Sequence, residues 1–236
     1  PPHPPPPPPP RPPPPPPPPP PIVEFLLKEG VEVVVLACNS ATIQAVEWCR
    51  ERWPEVRFVG MEPGVKPAVA ATKSGVIGVL ATEASLTGEM FAELVVKYGE
   101  GCEVLPQACP RFVEFVEAGV LEGPEVEEAV REYAGPLVEA GADVLVLGCT
   151  HYPFLKEVIG KVYPGVALVD TGEAVARRVG SVLELVRGSR VGHGLALPVG
   201  GVRFLTSGEV GLMRRFLEQW REESGEWRVE KLVVGD

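Results

Sequence analysis

An α/β fold of two similar lobes, each with a mainly parallel sheet, is predicted by three features of the sequence. From residue 22 onward, apolar runs rich in Val, Leu and Ile alternate with helical patterns, as in parallel strands joined by helices. Most runs are continuously apolar, which indicates strands buried on both faces. One segment, GVEVVVLAC at 30–38, is nearly repeated as GADVLVLGC at 141–149. One copy in each half of the chain predicts two lobes with a cleft between them.

The elements follow from this alternation and from the Gly and Pro residues that end helices or begin them. The predicted helices, which show the helical spacing of apolar residues, are 22–29, 41–52, 64–72, 87–98, 111–118, 125–140, 153–162, 172–187 and 208–221. The predicted strands, which are short and β-branched, are 31–37, 56–60, 75–81, 103–105, 142–148, 166–170, 203–205 and 228–234. The glycine-rich stretch 188–201 is predicted to be a loop.

Residues 1–21 form a separate low-complexity segment, because 19 of these 21 residues are proline. Such a run lacks backbone donors and is expected to form a solvated polyproline II rod. We interpret it as a low-complexity extension, although its P-x-x-P spacing also fits a ligand for SH3-like or WW-like domains. It has no apolar segment typical of a signal peptide or a membrane span. The first lobe is predicted to comprise 22–61 and 171–236, and the second 62–170.

The composition argues against several classes of function. A net charge of −10 disfavours binding to nucleic acid or to anionic membranes, and no apolar run approaches the length of a membrane span. The five cysteines form no C-x-x-C pair and show no zinc-site spacing with histidine. We therefore predict a protein of the reducing cytoplasm with no disulfide, metal or cofactor.

Cys38 and Cys149 end the two repeated strands, and we predict that they are the reactive groups. Ligands of parallel sheets bind at the carboxyl ends of the strands, where both cysteines fall. The chain's single asparagine, Asn39, follows the first cysteine, and with Ser40 it is predicted to cap helix 41–52. After the second cysteine, Thr150 or His151 is predicted to cap the helix that begins near Pro153. A helix start favours a thiolate and offers free N–H groups to a carboxylate.

Two matched thiols suit a two-base reaction at a carbon acid. One thiolate removes a proton from one face of the carbon, and the other cysteine, as a thiol, returns a proton to the opposite face. Such a reaction inverts a stereocentre without a metal or pyridoxal phosphate. A cysteine hydrolase would need only one thiol with a histidine base, so it remains the alternative from a different class.

Several motifs resemble the glutamate racemase family, within the aspartate/glutamate racemase superfamily. They are ACNSAT at 37–42, EPG at 62–64, GVIGVLAT at 75–82, LGCTHYP at 147–153 and DTGEAVAR at 170–177. The resemblance extends from about residue 22 to about residue 221. It implies two α/β lobes with the active site between them, and cofactor-independent interconversion of L- and D-glutamate. It also implies a supply of D-glutamate for peptidoglycan, and relatives of this family commonly dimerise.

The resemblance also implies a role for individual residues. Cys38 and Cys149 would be the paired acid and base, and His151 would tune Cys149. Glu117, in FVEFVEAG, matches the acidic partner on the Cys149 side. The implied substrate-binding residues, which follow the two cysteines, are Asn39, Ser40, Thr150 and His151. Ser40 replaces the threonine that is more frequent in the family and keeps the hydroxyl group.

The sequence departs from the family pattern in its first segment. Members of the family begin with a strand and a D-S-G-x-G-G loop, and they later carry a Pro-Tyr-Gly turn; neither motif occurs here. The first lobe is therefore expected to be incomplete, with an unpaired strand edge, and Cys38 to lack its carboxylate neighbour. We expect this chain as written to be poorly active or inactive. Two further alternatives are a racemase of aspartate or a related amino acid, and a non-catalytic binding relic with a polyproline arm.

Overall fold

The computed structural model of the protein describes residues 21–87, 89–188, 202–219 and 227–232. The helices of this part, in chain order, are α1 (Pro21–Lys28), α2 (Asn39–Arg52), α3 (Val65–Ala71), α4 (Glu83–Leu86), α5 (Glu89–Tyr98), α6 (Pro110–Glu117), α7 (Pro124–Glu139), α8 (Lys156–Val162), α9 (Gly172–Gly188) and α10 (Val210–Gln219). The strands are β1 (Val33–Val35), β2 (Arg57–Val59), β3 (Val76–Ala81), β4 (Glu103–Ala108), β5 (Val144–Leu147), β6 (Ala167–Val169), β7 (Val202–Thr206) and β8 (Trp227–Lys231). A 3-10 turn, Tyr152–Leu155, precedes α8.

The largest sheet has four parallel strands in the order β4-β3-β5-β6, which confirms the predicted α/β class with parallel sheets. Strand β5 is buried throughout, as its continuous run of Val and Leu predicts. Its alternate side chains face two different cores. Leu145 and Leu147 pack with residues of α6, α7 and α8, whereas Val144 and Val146 pack with residues of α3 and α5. The sheet therefore lies between two helical layers, and the carboxyl ends of its strands share one edge.

The first part of the chain forms a smaller unit around the parallel pair β1–β2. Its core contains Val23 of α1, Val46 and Cys49 of α2, and Phe58 of β2. A second parallel pair, β7–β8, lies near the end of the described chain. The division into one lobe of 22–61 plus 171–236 and another of 62–170 stays a prediction.

The prediction for the first strand was wrong in length and in burial. We expected a buried strand over 31–37, but β1 spans only Val33–Val35, and Val35 is 38% exposed. Among the described residues β1 pairs only with β2, so its other edge has no strand to cover it. A continuous apolar run predicts burial on both faces of the strand, which requires elements packed against both faces, and the exposure of Val35 shows that one face is not fully covered.

Other elements differ in their bounds. The predicted helix 87–98 corresponds to α5, which begins at Glu89, and the short helix α4 before it was not predicted. The predicted helix 153–162 begins as a 3-10 turn. Strand β4 continues to Ala108, beyond the predicted end at residue 105, because its partner β3 pairs along its whole length. Pro21 already belongs to α1. The proline run 1–20 and residues 189–201 of the predicted loop lie outside the described residues.

Candidate active site

The two predicted cysteines lie where parallel strands end and the chain turns toward a helix. Cys38 follows β1 and is the residue that precedes α2, and its side chain is half-buried. Cys149 follows β5 and is 8% exposed. Both thiols are free. The sequence placed each of them correctly at the carboxyl end of its strand.

Asn39 joins the surroundings of the two cysteines directly. Its Nδ2 donates a hydrogen bond of 2.7 Å to the carbonyl oxygen of Gly148, across 109 residues of chain. Asn39 is the neighbour of Cys38, and Gly148 is the neighbour of Cys149. The amide is 3% exposed, so this bond is shielded from water and stronger than a surface bond. The two cysteine motifs are therefore held against one another at the start of α2.

Ser40 connects the start of α2 to another segment, the one that follows strand β3. Its Oγ lies 3.0 Å from Thr82 Oγ1 and 2.9 Å from Ser85 Oγ, and those two oxygens are 2.9 Å apart. Each hydroxyl can donate one bond and accept another, so the three form a closed ring. Thr82 directly follows strand β3 and caps α4 by accepting from the Ser85 N–H. Sequence reasoning missed Thr82 and Ser85, although Thr82 stands in the GVIGVLAT motif.

The predicted capping roles of these polar residues were wrong. Cys38 occupies the cap position of α2, and no side chain caps this helix. Asn39 and Ser40 lie inside α2, and their side chains point to Gly148 and to the hydroxyl ring instead. His151 occupies the cap position of the 3-10 turn but makes no side-chain capping bond. Thr150, half-buried between Cys149 and His151, is not a cap either.

Cys149 belongs to a chain of three polar side chains. His151 Nδ1 lies 3.6 Å from Cys149 Sγ, and Nε2 donates a bond of 2.6 Å to Glu117 Oε1. The pKa of His151 is raised to about 9, mainly by the hydrogen bond to Cys149 and less by the bond to Glu117, while burial opposes both. At neutral pH the imidazole is therefore protonated beside the thiol. Glu117, at the end of α6, lies where the motif match placed it.

The remaining cysteines lie in other settings. Cys49 is fully buried in the core between α2 and β2, and burial raises the pKa of its thiol. Cys109 is buried at the start of α6, and burial raises the pKa of its thiol well above the usual range. Cys102 is half-buried before β4. The buried Cys49 and Cys109 are neutral at ordinary pH and serve as packing groups.

Thr42 fixes the loop that carries Cys38. Its Oγ1 donates to the Leu36 carbonyl at 3.1 Å and accepts from the Met61 N–H at 2.9 Å. One side chain thus ties the end of β1 and the end of β2 to the first turn of α2. Gly60 leaves room for it, because a Cβ at that position would lie 2.4 Å from Thr42 Cγ2.

Comparison with known proteins assigns the chain to a family. The model of the Asp/Glu/hydantoin racemase family matches residues 18–179. The chain belongs to this family of amino-acid racemases.

Within it, the similar proteins are glutamate racemases. The enzyme of Herpetosiphon aurantiacus is 52% identical over 163 residues, which cover 69% of this chain and 64% of the relative. That of Ectopseudomonas mendocina is 44% identical over 200 residues, which cover 83% of this chain and 73% of the relative. The chain thus spans about two thirds to three quarters of the length of these relatives.

Solved structures agree with the fold. Glutamate racemase RacE1 of Bacillus anthracis superposes with a TM-score of 0.75 at 27% identity, over 91% of this chain and 78% of that protein. The Thermus thermophilus glutamate racemase, solved with β-chloro-D-alanine, gives 0.67 at 34% identity, over 90% and 77%. The Escherichia coli enzyme, solved with L-glutamate and the activator UDP-MurNAc-Ala, gives 0.74 at 26% identity, over 91% and 79%. In the described part of this chain, no helix is both long and apolar enough to cross a membrane.

Proposed function

We propose that this protein interconverts L- and D-glutamate by a two-base mechanism in which Cys38 and Cys149 act from opposite faces of the substrate. The observation that carries the proposal is the buried bond from Asn39 to Gly148, which brings the backbone of both cysteines to one place. The family supports amino-acid racemisation, and the glutamate racemases among its relatives support glutamate as the substrate.

The chemistry needs one thiolate and one thiol at a time. The thiolate takes the Cα proton, and the electron pair of the broken C–H bond passes into the substrate as a carbanion. The opposite thiol then gives its proton to the other face and becomes a thiolate. The stereocentre is inverted, the two sulfurs have exchanged protonation states, and the reverse reaction restores them. No external acid, base or oxidant is consumed.

His151 supplies the charge that this scheme requires on one side. As an imidazolium it stands 3.6 Å from Cys149 Sγ and stabilises the sulfur when it is a thiolate. Glu117 accepts the other ring N–H and so fixes the orientation of the ring, as a carboxylate does in other catalytic histidine pairs. The remaining polar groups near the two cysteines, Asn39, Ser40 and Thr150, are proposed to hold the substrate's carboxylates and ammonium group.

In the cell, we propose that the product D-glutamate serves peptidoglycan synthesis in the cytoplasm, and that the protein acts as a homodimer. The free cysteines of the described chain support a reducing compartment. The two lobes are proposed to comprise 22–61 with 171–236, and 62–170, with the substrate between them.

We also propose that the polypeptide 1–236 turns over more slowly than a full-length relative. The sequence has no D-S-G-x-G-G motif to place a carboxylate beside Cys38. Among the described residues, no carboxylate is hydrogen-bonded to that thiol, whereas Cys149 has the linked pair His151 and Glu117. An acid/base pair supported on one side only is expected to be a weak catalyst.

The experiment follows the optical activity of D-glutamate by circular dichroism, with deuterium incorporation at Cα in D2O as a second, more sensitive readout. Activity should be lost in both Cys38→Ser and Cys149→Ser, and Cys102→Ser is the matched control that should keep it. A Cys38→Ser variant with full activity would contradict the two-base proposal and favour a one-cysteine enzyme. Turnover of the unaltered chain equal to that of a full-length relative would contradict only the proposal of reduced activity.

A further inference from the structure

We infer that Tyr152 is a positioning residue for the Cys149 side of the site, because its buried hydroxyl fixes α6 and through it the contact between Glu117 and His151. Tyr152 directly follows His151, and its side chain lies in the hydrophobic core. It is fully buried, and its Oη donates a hydrogen bond of 2.9 Å to the Cys109 carbonyl oxygen.

The acceptor of this bond is the residue that begins α6. The Cys109 carbonyl also accepts the Phe112 N–H, at 3.2 Å, as the first bond of the helix. The Cys109 N–H donates to the Ala81 carbonyl at the end of β3, so the same residue is tied to the central sheet. The Tyr152 hydroxyl therefore sets where α6 starts relative to the sheet and to the segment after Cys149.

Aromatic packing fixes the tyrosine ring in the same place. Phe112, in the first turn of α6, packs edge-on against Tyr152 with ring centroids 5.2 Å apart. On its other side Phe112 packs edge-on against Tyr133 of α7, at 5.3 Å. The ring of Tyr152 is thus held between α6 and the core, which leaves its hydroxyl with little freedom to find another acceptor.

The far end of the same short helix carries Glu117. Helix α6 has eight residues, and it is tied to the segment 149–155 at both ends: by Tyr152 at its start and by the bond between His151 and Glu117 at its end. A helix of this length spans about 12 Å and moves as a rigid body, so a shift at its start is carried to Glu117. The position of the carboxylate therefore depends on the tyrosine hydroxyl.

The other titratable groups near Cys149 are either neutral at pH 7 or paired elsewhere, so Glu117 is the carboxylate that acts on His151. Burial raises the pKa of the Cys109 thiol and of the Tyr152 hydroxyl far above neutral pH, and raises that of Tyr133 as well. Glu132 of α7 acts on Cys109 but is paired with Arg111 at the surface. A change in the reactivity of Cys149 after alteration of Tyr152 would thus report on His151 and Glu117.

The test is Tyr152→Phe, which keeps the ring and removes only the hydroxyl. The rate of alkylation of Cys149 by iodoacetamide, followed by mass spectrometry of the peptide that contains it, is measured from pH 6 to pH 10. We expect the rate at pH 7 to fall about three- to tenfold, the effect of losing one hydrogen bond, and the profile to move to higher pH. Tyr163→Phe is the matched control, because this tyrosine packs against the same core with its hydroxyl beside Gly135 of α7 rather than at the start of α6, and its profile should be unchanged.

A double variant tests the route of the effect. In a Glu117→Gln background, Tyr152→Phe should lower the rate no further, since both changes act on His151. If Tyr152→Phe does not fold, as judged by thermal unfolding, Phe112→Leu replaces it and should shift the profile in the same direction. Variants that unfold at lower temperature but superimpose on the unaltered alkylation profile would overturn the inference, as would fully additive effects with Glu117→Gln.

The catalytic meaning of this inference rests on the proposed function, but alkylation needs no turnover. A protein that fails to racemise glutamate and still shows the dependence of Cys149 on Tyr152 would refute the function and leave the positioning role. A protein that racemises glutamate but shows no dependence of Cys149 on Tyr152 would support the function and refute the positioning role.

Discussion

The hydrogen bond from Asn39 to Gly148 offers the sharpest test of how the two cysteine motifs are held together. Asn39→Ala removes the donor and leaves the Gly148 carbonyl buried without its partner, since Asn39 is only 3% exposed. Leaving a buried acceptor unsatisfied costs about 1–3 kcal/mol, which corresponds to a roughly 5- to 150-fold change in an equilibrium constant. We expect the free energy of unfolding to fall by that amount.

Asn39→Asp distinguishes the contribution of this hydrogen bond from the contribution of side-chain packing. Aspartate has nearly the same shape, but its carboxylate can only accept, so it would place an acceptor against the Gly148 carbonyl. The loss should therefore exceed that of Asn39→Ala, and it should shrink at acid pH, where the protonated carboxyl can donate. Free energies of unfolding come from urea titrations followed by circular dichroism.

The matched control is Gln44→Ala, because Gln44 is an exposed amide on the same helix, α2. It should change the free energy of unfolding by no more than about 0.5 kcal/mol. If Asn39→Ala and Asn39→Asp prove as mild as this control, the bond does not join the two motifs and the account of the site is wrong.

Three further substitutions test other parts of the structure. Gly60→Ala places a Cβ 2.4 Å from Thr42 Cγ2, so it should lower the free energy of unfolding by about 1–3 kcal/mol and change the alkylation rate of Cys38. Glu117→Gln should lower the NMR titration midpoint of His151 from about 9 toward its ordinary value of 6.5. Because the folded pKa of His151 is raised, the stability that it contributes is complete below about pH 6.5 and is lost as the pH rises through about 9. Asp143→Asn should destabilise the protein at pH 7, and progressively less as the pH falls below about 4, because the stability from bonds to a carboxylate of lowered pKa is complete above its ordinary pKa and is lost as the pH falls toward the lowered one.

The substitutions at residues 60 and 117 each have a matched control variant. Gly180→Ala, in helix α9 with no atom within 4 Å of the added Cβ, should be neutral or stabilising by up to about 1 kcal/mol. If Gly180→Ala lowers the free energy of unfolding as much as Gly60→Ala does, crowding against Thr42 is not the cause of the loss at residue 60. Glu114→Gln, at an exposed carboxylate on α6, should leave the titration of His151 unchanged; an equal shift would mean a general charge effect. An effect of Asp143→Asn that does not decrease as the pH is lowered would contradict the assignment of the carboxylate's bonds.

The Asp143 prediction rests on a compact set of contacts at the start of β5. The carboxylate accepts bonds from the Thr72 hydroxyl at 2.5 Å and from the N–H groups of Lys73 and Ser74 at 2.7 and 3.0 Å. These bonds lower the pKa of Asp143, with the Thr72 hydroxyl as the largest cause. They favour the ionised form, which is why their contribution disappears when the group is protonated.

The sequence predicted features that depend on neighbours along the chain. β-Branched runs between helices predict parallel strands, and parallel strands place their carboxyl ends, with Cys38 and Cys149, at the edge where a site forms. The helix predicted over 111–118 is present as α6 and brings Glu117 to His151, while the assignment of Glu117 as the acidic partner on the Cys149 side stays a prediction. The prediction for 31–37 failed because the pattern of a single strand does not reveal how many strands lie beside it.

Contacts across the fold could not be predicted in the same way. Asn39 and Ser40 follow a strand and precede a helix, which locally predicts capping, but their partners lie 109, 42 and 45 residues away. Tyr152 donates to a backbone carbonyl, and because every residue has one, the sequence does not indicate which carbonyl is the acceptor. Such bonds depend on how the two regions pack, so they become visible only in three dimensions.

The most direct test of the central claim joins the two sulfurs. Thiols that flank one carbon centre at reacting distance should lie roughly 7 Å apart, within reach of a short bifunctional thiol reagent. In a chain with Cys102 changed to Ser, we expect mass spectrometry to find Cys38 and Cys149 joined in a single cross-linked peptide pair, and D-glutamate to protect both. Separate modification of each cysteine in the folded protein, with no cross-link and no protection, would contradict the account.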